Sequence, residues 1–277
     1  MKISPSPLPV LTQDTVLIDS HCHRDMDAYK VDLVIILEQA YCNHMRYIIS
    51  IGIDEETSRR AISLAKEYDM IKATVGIHPH DAARITPQTL DNLAELVDNN
   101  RDHVVGYGEI GLDYVKNYAP PELQRRHFRA QLARAKELRL PVIIHDRDAH
   151  ADTIRLLQEA APFDHGGIMH CFSGDMSLAA QVLDLGFHIS IPGVVTFKNA
   201  PELQEVARLA PLSSLLVETD GPFLAPVPWR GKRNEPALLL HTAQAIADLR
   251  DIPLNEVARQ TSANAMSLFR LPTPGMT

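Results

Sequence analysis

Eight times along this chain a short apolar run gives way to a longer stretch with helical spacing, and that alternation constrains the fold more than any other feature. The runs fall at residues 17–20, 47–52, 73–78, 104–109, 141–145, 167–172, 187–191 and 215–220. Apolar residues then recur at i, i+3 and i+4 over 33–40, 57–68, 90–97, 128–138, 154–160, 178–185, 202–209 and 239–248. Strands this apolar cannot leave a face in water, so the pattern reads as a parallel sheet covered by helices. Eight such units in 277 residues fit a closed (β/α)8 TIM barrel. The competitor, an open doubly wound sheet, would carry a Gly-rich phosphate turn after the first strand. That position holds His21-Cys22-His23 instead.

The barrel is expected to occupy residues 16–270, with a loose, proline-interrupted segment at 1–15 and a frayed tail at 271–277. Thr86-Pro87 and Ala200-Pro201 read as helix starts, because proline suits a first helical turn. A formal net charge of -8 excludes coating of nucleic acid by bulk attraction, although local cations or metals can still hold a polyanion. The three cysteines, Cys22, Cys42 and Cys171, show no paired spacing, which argues against a disulfide framework and for a reducing compartment. The N-terminal stretch lacks the unbroken apolar region of a secretory signal, and no segment has the roughly 18 apolar residues of a spanning helix. The expectation is a soluble cytoplasmic protein with no membrane contact and no obligate protein partner.

In a barrel of this kind, chemistry sits where the strands end. The first strand ends in His21 and His23, which share a face because side chains alternate along a strand. The third ends in His78-Pro79-His80 and the fourth in Glu109, flanked by Gly106, Gly108 and Gly111. His145 closes the fifth, His170 the sixth, and Glu218-Thr219-Asp220 the eighth. Ligand-type side chains at nearly every strand end argue against coincidence. His21, His23, Glu109, His145, His170 and Asp220 exceed the four ligands of one tetrahedral zinc, and a structural zinc would lean on cysteine. They suit two divalent metal ions with open positions for water, and Glu109, central in the set, is the natural bridge. Mg, Mn and Zn are the candidates. Four imidazoles favour Zn, Mn, Fe or Ni, whereas phosphoryl chemistry often runs on Mg.

The stretches Ile18 to His23, Val75 to His80, Gly108 to Tyr114, Pro141 to His145, His170 to Gly174, Val195 to Asn199, Glu218 to Pro222 and Arg230 to Pro236 together resemble the TatD family. These are metal-dependent, deoxyribonuclease-like hydrolases within the amidohydrolase-type barrels. The matches run in order and leave only the ends uncovered. The resemblance implies a two-metal phosphodiesterase in which His21, His23, Glu109 and Asp220 hold one ion and Glu109, His145 and His170 the other. It implies trimming of DNA from an end, with single-stranded DNA or DNA ends as the partner and RNA as a further substrate. Rival substrates for the same site are a small phosphoester, a lactone or amide, and the ester of a D-aminoacyl-tRNA. A non-catalytic scaffold would need none of these ligands. Asp146 after His145 and Gly221 after Asp220 depart from the family's usual residues, and Asp146 adds negative charge near the anion site.

Around that set, Glu109 and Asp220 are the catalytic candidates, with Asp220 both ligating and accepting the proton of the attacking water. Asp19 and Glu218 lie one step behind ligands on the same strand faces, where each can orient a ligand from behind; Glu218 can equally be a structural acid paired with an arginine. His78 is a candidate phosphate contact, whereas His80 reads as packing. Arg147 is placed for bidentate phosphate binding or for a salt bridge to Asp148 or Asp152. The basic run Arg230, Lys232 and Arg233 is expected at the barrel mouth, holding phosphates. Trp229 beside it can stack on a base or pack the loop. Alternation should turn Cys22 and Cys171 away from the metals. The Tyr114-to-Tyr118 segment with Lys116 can form a substrate loop.

Overall fold

The computed structural model describes residues 7–23, 27–116 and 118–272; the outermost ends, 1–6 and 273–277, lie outside them. All eight expected strands are present: β1 (Leu17–Cys22), β2 (Met45–Ser50), β3 (Ile71–Val75), β4 (Val104–Asp113), β5 (Val142–Arg147), β6 (Gly167–Met169), β7 (His188–Ile191) and β8 (Leu215–Val217). Each pairs in parallel with the next, so spatial order equals chain order. The ring meets itself at the C-terminal rim. There Cys22 and Gly221 form a parallel bridge, the Asp220 amide donates to the His21 carbonyl at 2.9 Å, and the His23 amide donates to Gly221 at 2.8 Å. Barrel closure therefore carries Asp220 to the histidine pair.

Helices α1 (Leu33–Cys42), α2 (Glu55–Glu67), α3 (Pro87–Asp98), α4 (Pro121–Leu138), α5 (His150–Ala160), α6 (Met176–Asp184), α7 (Pro201–Leu209) and α8 (Leu239–Arg250) cover the outside. Local chemistry sets their starts. Thr86 caps α3 by accepting from the Thr89 amide, with Pro87 at the first helical position, and Asp54 and Thr57 form a reciprocal capping box on α2. A further helix, α9 (Leu254–Phe269), was not apparent from apolar spacing, because its buried face mixes Thr261, Ser262 and Asn264 with Val257, Ala258, Ala265 and Leu268. Those polar groups are bonded: Ser262 donates to the Val16 carbonyl and Asn264 to the Leu212 and Leu215 carbonyls. Helix α9 thus seals the N-terminal end of the barrel. Its Ala265, Leu268 and Phe269 join the interior cluster of Ile18, Ile49, Ile51, Ile143, Ile168 and Leu216.

The segment expected to be loose, 1–15, carries no helix or strand over its described part, yet Leu11 is buried and the Thr12 amide donates to Asn255 of α9. Leu271 at the other end is buried, and Tyr47 donates to the Pro272 carbonyl. Among the described residues no helix is long and apolar enough to cross a membrane.

Strand lengths decide what stands at the rim. β3, β6 and β8 stop at Val75, Met169 and Val217, so His78, His170 and Asp220 sit on the loops beyond. β4 instead continues to Asp113 and β5 to Arg147. Two glycines allow this close pairing. At Gly108 and Gly111, φ is 152° and 146°, and a Cβ would fall on the carbonyl oxygens of Ile143 and His145 respectively.

Candidate metal centre

Glu109 is the hub. Its Oε2 lies 3.4 Å from His21 Nε2 and 3.7 Å from His23 Nε2. Its Oε1 lies 2.7 Å from His145 Nδ1, 2.8 Å from His170 Nε2 and 3.4 Å from His78 Nε2. Asp220 Oδ1 joins the first set, 3.4 Å from His23 Nε2 and 3.8 Å from His21 Nε2. The two carboxylate oxygens therefore face two different groups of donors. The six residues expected as ligands converge, and all but His145 are buried. All but the fully buried His21 line the floor of a cavity of about 660 Å³ at the C-terminal mouth of the barrel.

The comparisons with known proteins agree with this geometry. The family model described as TatD related DNase matches residues 18–270. The chain belongs to the TatD-related DNase family. The uncharacterized metal-dependent hydrolase YabD of Bacillus subtilis is 42% identical over 256 residues, 92% of this chain and 100% of that protein. The uncharacterized metal-dependent hydrolase YcfH of Escherichia coli K12 is 38% identical, covering 92% and 96%. Among solved structures, YJJV, a TatD homolog from Escherichia coli K12, superposes with a TM-score of 0.88 at 30% identity over 92% of this chain and 98% of its own. The TatD-family chain described here is a metal-dependent hydrolase.

Its donor set fits a divalent cation. His21 Nε2 and His23 Nε2 lie 3.3 Å apart beside two carboxylates, an all N/O cluster in a buried site. His21, His23 and Asp220 offer atoms close enough to hold one ion. Burial opposes charge on Glu109, but His170, His78 and His145 outweigh it and hold its pKa well below the usual carboxylate range. Burial likewise opposes charge on His170; Glu109 and Glu218 win, and its pKa is raised well above the ordinary imidazole value. At Asp220, hydrogen bonding and charge from His23 overcome burial and lower the pKa.

His78 behaves differently. Its Nδ1 accepts the His80 amide at 3.1 Å, and burial pushes its pKa down to about 4 against the pull of Glu109. The neutral ring then carries its proton on Nε2, 3.4 Å from Glu109 Oε1, and His78 lines the cavity.

The supporting acids divide the work. Glu218 Oε1 accepts the Cys171 amide at 2.7 Å and sits 3.5 Å from His170 Nδ1, an electrostatic contact rather than a hydrogen bond; no arginine pairs with it among the described residues. Asp19 was expected behind the histidine pair. Its carboxylate instead accepts the Thr219 amide at 2.9 Å and hydroxyl at 2.5 Å, together with the His21 amide, and so fixes the loop that presents Asp220. Burial pushes its pKa up to about 7. Asp113 was not foreseen. Its Oδ2 lies 2.8 Å from His80 Nε2 and 3.3 Å from His145 Nε2, so His80, read as packing, belongs to the site wall.

Other expectations change. Arg147 lines the cavity and makes no salt bridge to Asp148 or Asp152; Asp152 is held by Arg125 and Arg155. Arg233 is not free for substrate: its guanidinium grips Asp32 at 2.6 and 3.0 Å, and also Glu235 and the Ala28 carbonyl. Arg230 lies 4.4 Å over the Phe197 ring, and neither it, Lys232 nor Trp229 lines the cavity. Lys116 supplies a cation there instead. Cys171 does line the cavity, because its φ of 45° takes it out of strand alternation; Cys22 is packed against Gly221 as expected. The Asp146 carboxylate is tied to His150 at 2.5 Å and Thr153 at 3.1 Å, which offsets its charge near the site.

Proposed function

We propose that this chain hydrolyses phosphodiester bonds at the ends of DNA, single-stranded or frayed, with RNA as the nearest alternative substrate. One observation carries the reading: the two oxygens of Glu109 face two separate donor groups, the arrangement a carboxylate needs to bridge two ions. His21, His23, Glu109 and Asp220 would hold one, and Glu109, His145 and His170 the other. Held there, divalent ions would supply a water acidic enough to react near neutral pH and would relieve charge on the phosphate.

The side chains do the rest. Asp220, deprotonated and at the edge of the cluster, accepts the attacking water's proton. His78 donates from Nε2 to a phosphate oxygen. Arg147 and Lys116, which form no ion pair among the described residues, offset the substrate's charge. The carboxylate hub favours phosphoester chemistry because the cavity around it offers cations to an anion.

The test is purified protein with Mg²⁺, Mn²⁺ or Zn²⁺ and end-labelled single- and double-stranded DNA. Stepwise shortening from one end, abolished by EDTA and by Glu109→Ala, is expected. Intact nucleic acid alongside turnover of a small phosphoester, a lactone or a D-aminoacyl-tRNA would transfer the site to that rival. Failure to recruit any divalent ion would remove the metal reading altogether.

A further inference from the structure

The cavity has two unlike sides. In a barrel ordered β1 to β8, the β4–β5 edge lies across the mouth from the β8–β1 seam. Arg147, the last residue of β5, and Lys116, three residues past the end of β4, stand on one side. Phe223 and Leu224, beyond β8, and Val194, beyond β7, stand on the other. Glu109 and the histidines lie between.

On the cationic side the nearby acids are already engaged. Asp81 pairs with Arg84, Asp113 with His80, and Asp146 with His150. Arg147 and Lys116 form no ion pair among the described residues, so their charge faces the cavity uncompensated. On the apolar side Phe223 is 49% exposed. A single exposed aromatic is ordinary, but this one is held. Its amide donates to the Asp220 carbonyl at 2.9 Å, and the Asn234 amide donates to Pro222 beside it at 3.0 Å. The Asn234 side chain donates to the Thr219 carbonyl at 2.7 Å. The backbone that carries the ring is thus held three residues beyond Asp220, and the ring centroid lies 6.1 Å from that of His23. An aromatic face on a rigid turn beside a phosphate-handling centre is a stacking platform for a base. About 660 Å³ is a small-ligand volume, suited to a strand end rather than a continuous duplex.

We propose that the cavity seats an unpaired strand end in one orientation, with the terminal base on Phe223 and the phosphate flanking the scissile bond on Arg147 and Lys116. This rests on the phosphodiesterase reading and adds to it the feature of the substrate that is recognised.

The test crosses enzyme and substrate changes. Wild type and Phe223→Leu are compared on an oligonucleotide with a normal terminal nucleotide and on one whose terminal residue is abasic. Stacking predicts that Phe223→Leu raises KM on the normal substrate by roughly tenfold or more, that Phe223→Tyr restores it, and that the abasic substrate does not distinguish the enzymes. Arg147→Gln is paired in the same way with an uncharged methylphosphonate at the flanking linkage. Equal losses on both substrates of a pair, or none, overturn that half of the proposal. Binding of a 5′-phosphorylated dinucleotide to EDTA-treated protein, followed by calorimetry, supplies a readout independent of turnover. If no oligonucleotide is cut, the nuclease reading falls. Dinucleotide binding weakened by both substitutions then still supports the two subsites, and absence of binding removes them too.

Discussion

Asp113 stands directly behind His145: its Oδ2 lies 3.3 Å from His145 Nε2, while the opposite ring nitrogen, Nδ1, lies 2.7 Å from Glu109 Oε1. A carboxylate on the far nitrogen fixes the tautomer and leaves Nδ1 as the ligand atom. The Asp113→Asn variant should therefore bind metal about 10- to 100-fold more weakly. Activity should recover when metal is raised to saturation. Metal titration by calorimetry decides it; an unchanged affinity would reduce Asp113 to a loop anchor for Val115 and Lys116.

The buried charges set the pH dependence of metal uptake. His170 and His23 have raised pKa values, by Glu109 and Asp220 respectively and against burial, so their protons are retained toward neutral pH and must leave when an ion binds. Glu109 and Asp220 are lowered and have no proton to give there. Affinity should accordingly rise as pH climbs through and above the ordinary imidazole range, with proton release on binding. Calorimetry in buffers of different ionisation enthalpy measures the protons directly, and a flat pH profile would contradict the charge assignment.

Because the candidate ligands come from β1 and its end, β4, β5 and the loops after β6 and β8, an ion held by them would tie distant parts of the barrel together. Binding to the folded state alone adds ~2.7 kcal/mol at a hundredfold excess over Kd. Chelation should lower Tm by several degrees, and restored metal should recover it. In Glu109→Gln neither step should move Tm appreciably.

Gly111→Ala tests the backbone that presents His145. With φ at 146° and a Cβ directed onto the His145 carbonyl, the substitution should cost about 2 kcal/mol or more. Weaker metal binding should accompany that loss. Denaturant melts and a metal titration on one sample separate the two effects.

The candidate ligands were legible because each marks a place where an apolar run breaks off. His21 and His23, Glu109, His145, His170 and Asp220 all follow from that rule and from the alternation that names the barrel. Asp113 escaped because β4 runs four residues past Glu109, and nothing local distinguishes a strand that stops from one that continues. His80 escaped with it, since its partner is Asp113, 33 positions away. Helix α9 was hidden by polar residues whose partners are carbonyls at the foot of the barrel. In the basic run Arg233 misled for the opposite reason: its charge is visible in a sequence, but the acids that engage it, Asp32 and Glu235, are not.

Arg233 makes that last point testable. Bidentate contact with Asp32 ties the loop after β8 to the segment ahead of α1, and Tyr29, beneath the guanidinium at 5.4 Å, donates to the Asn234 carbonyl at 2.6 Å. The Asn234 side chain in turn holds Thr219, next to Asp220. If Arg233 serves this brace, Arg233→Ala should lose about 1 kcal/mol of stability, and KM for an oligonucleotide should stay within a few-fold of wild type. Asp32→Asn should reproduce the same loss, although it removes a negative charge rather than a positive one. A phosphate contact predicts the reverse: unchanged stability, a raised KM for Arg233→Ala, and a lowered or unchanged KM for Asp32→Asn. Melting curves and steady-state kinetics on the two variants separate the brace from the contact.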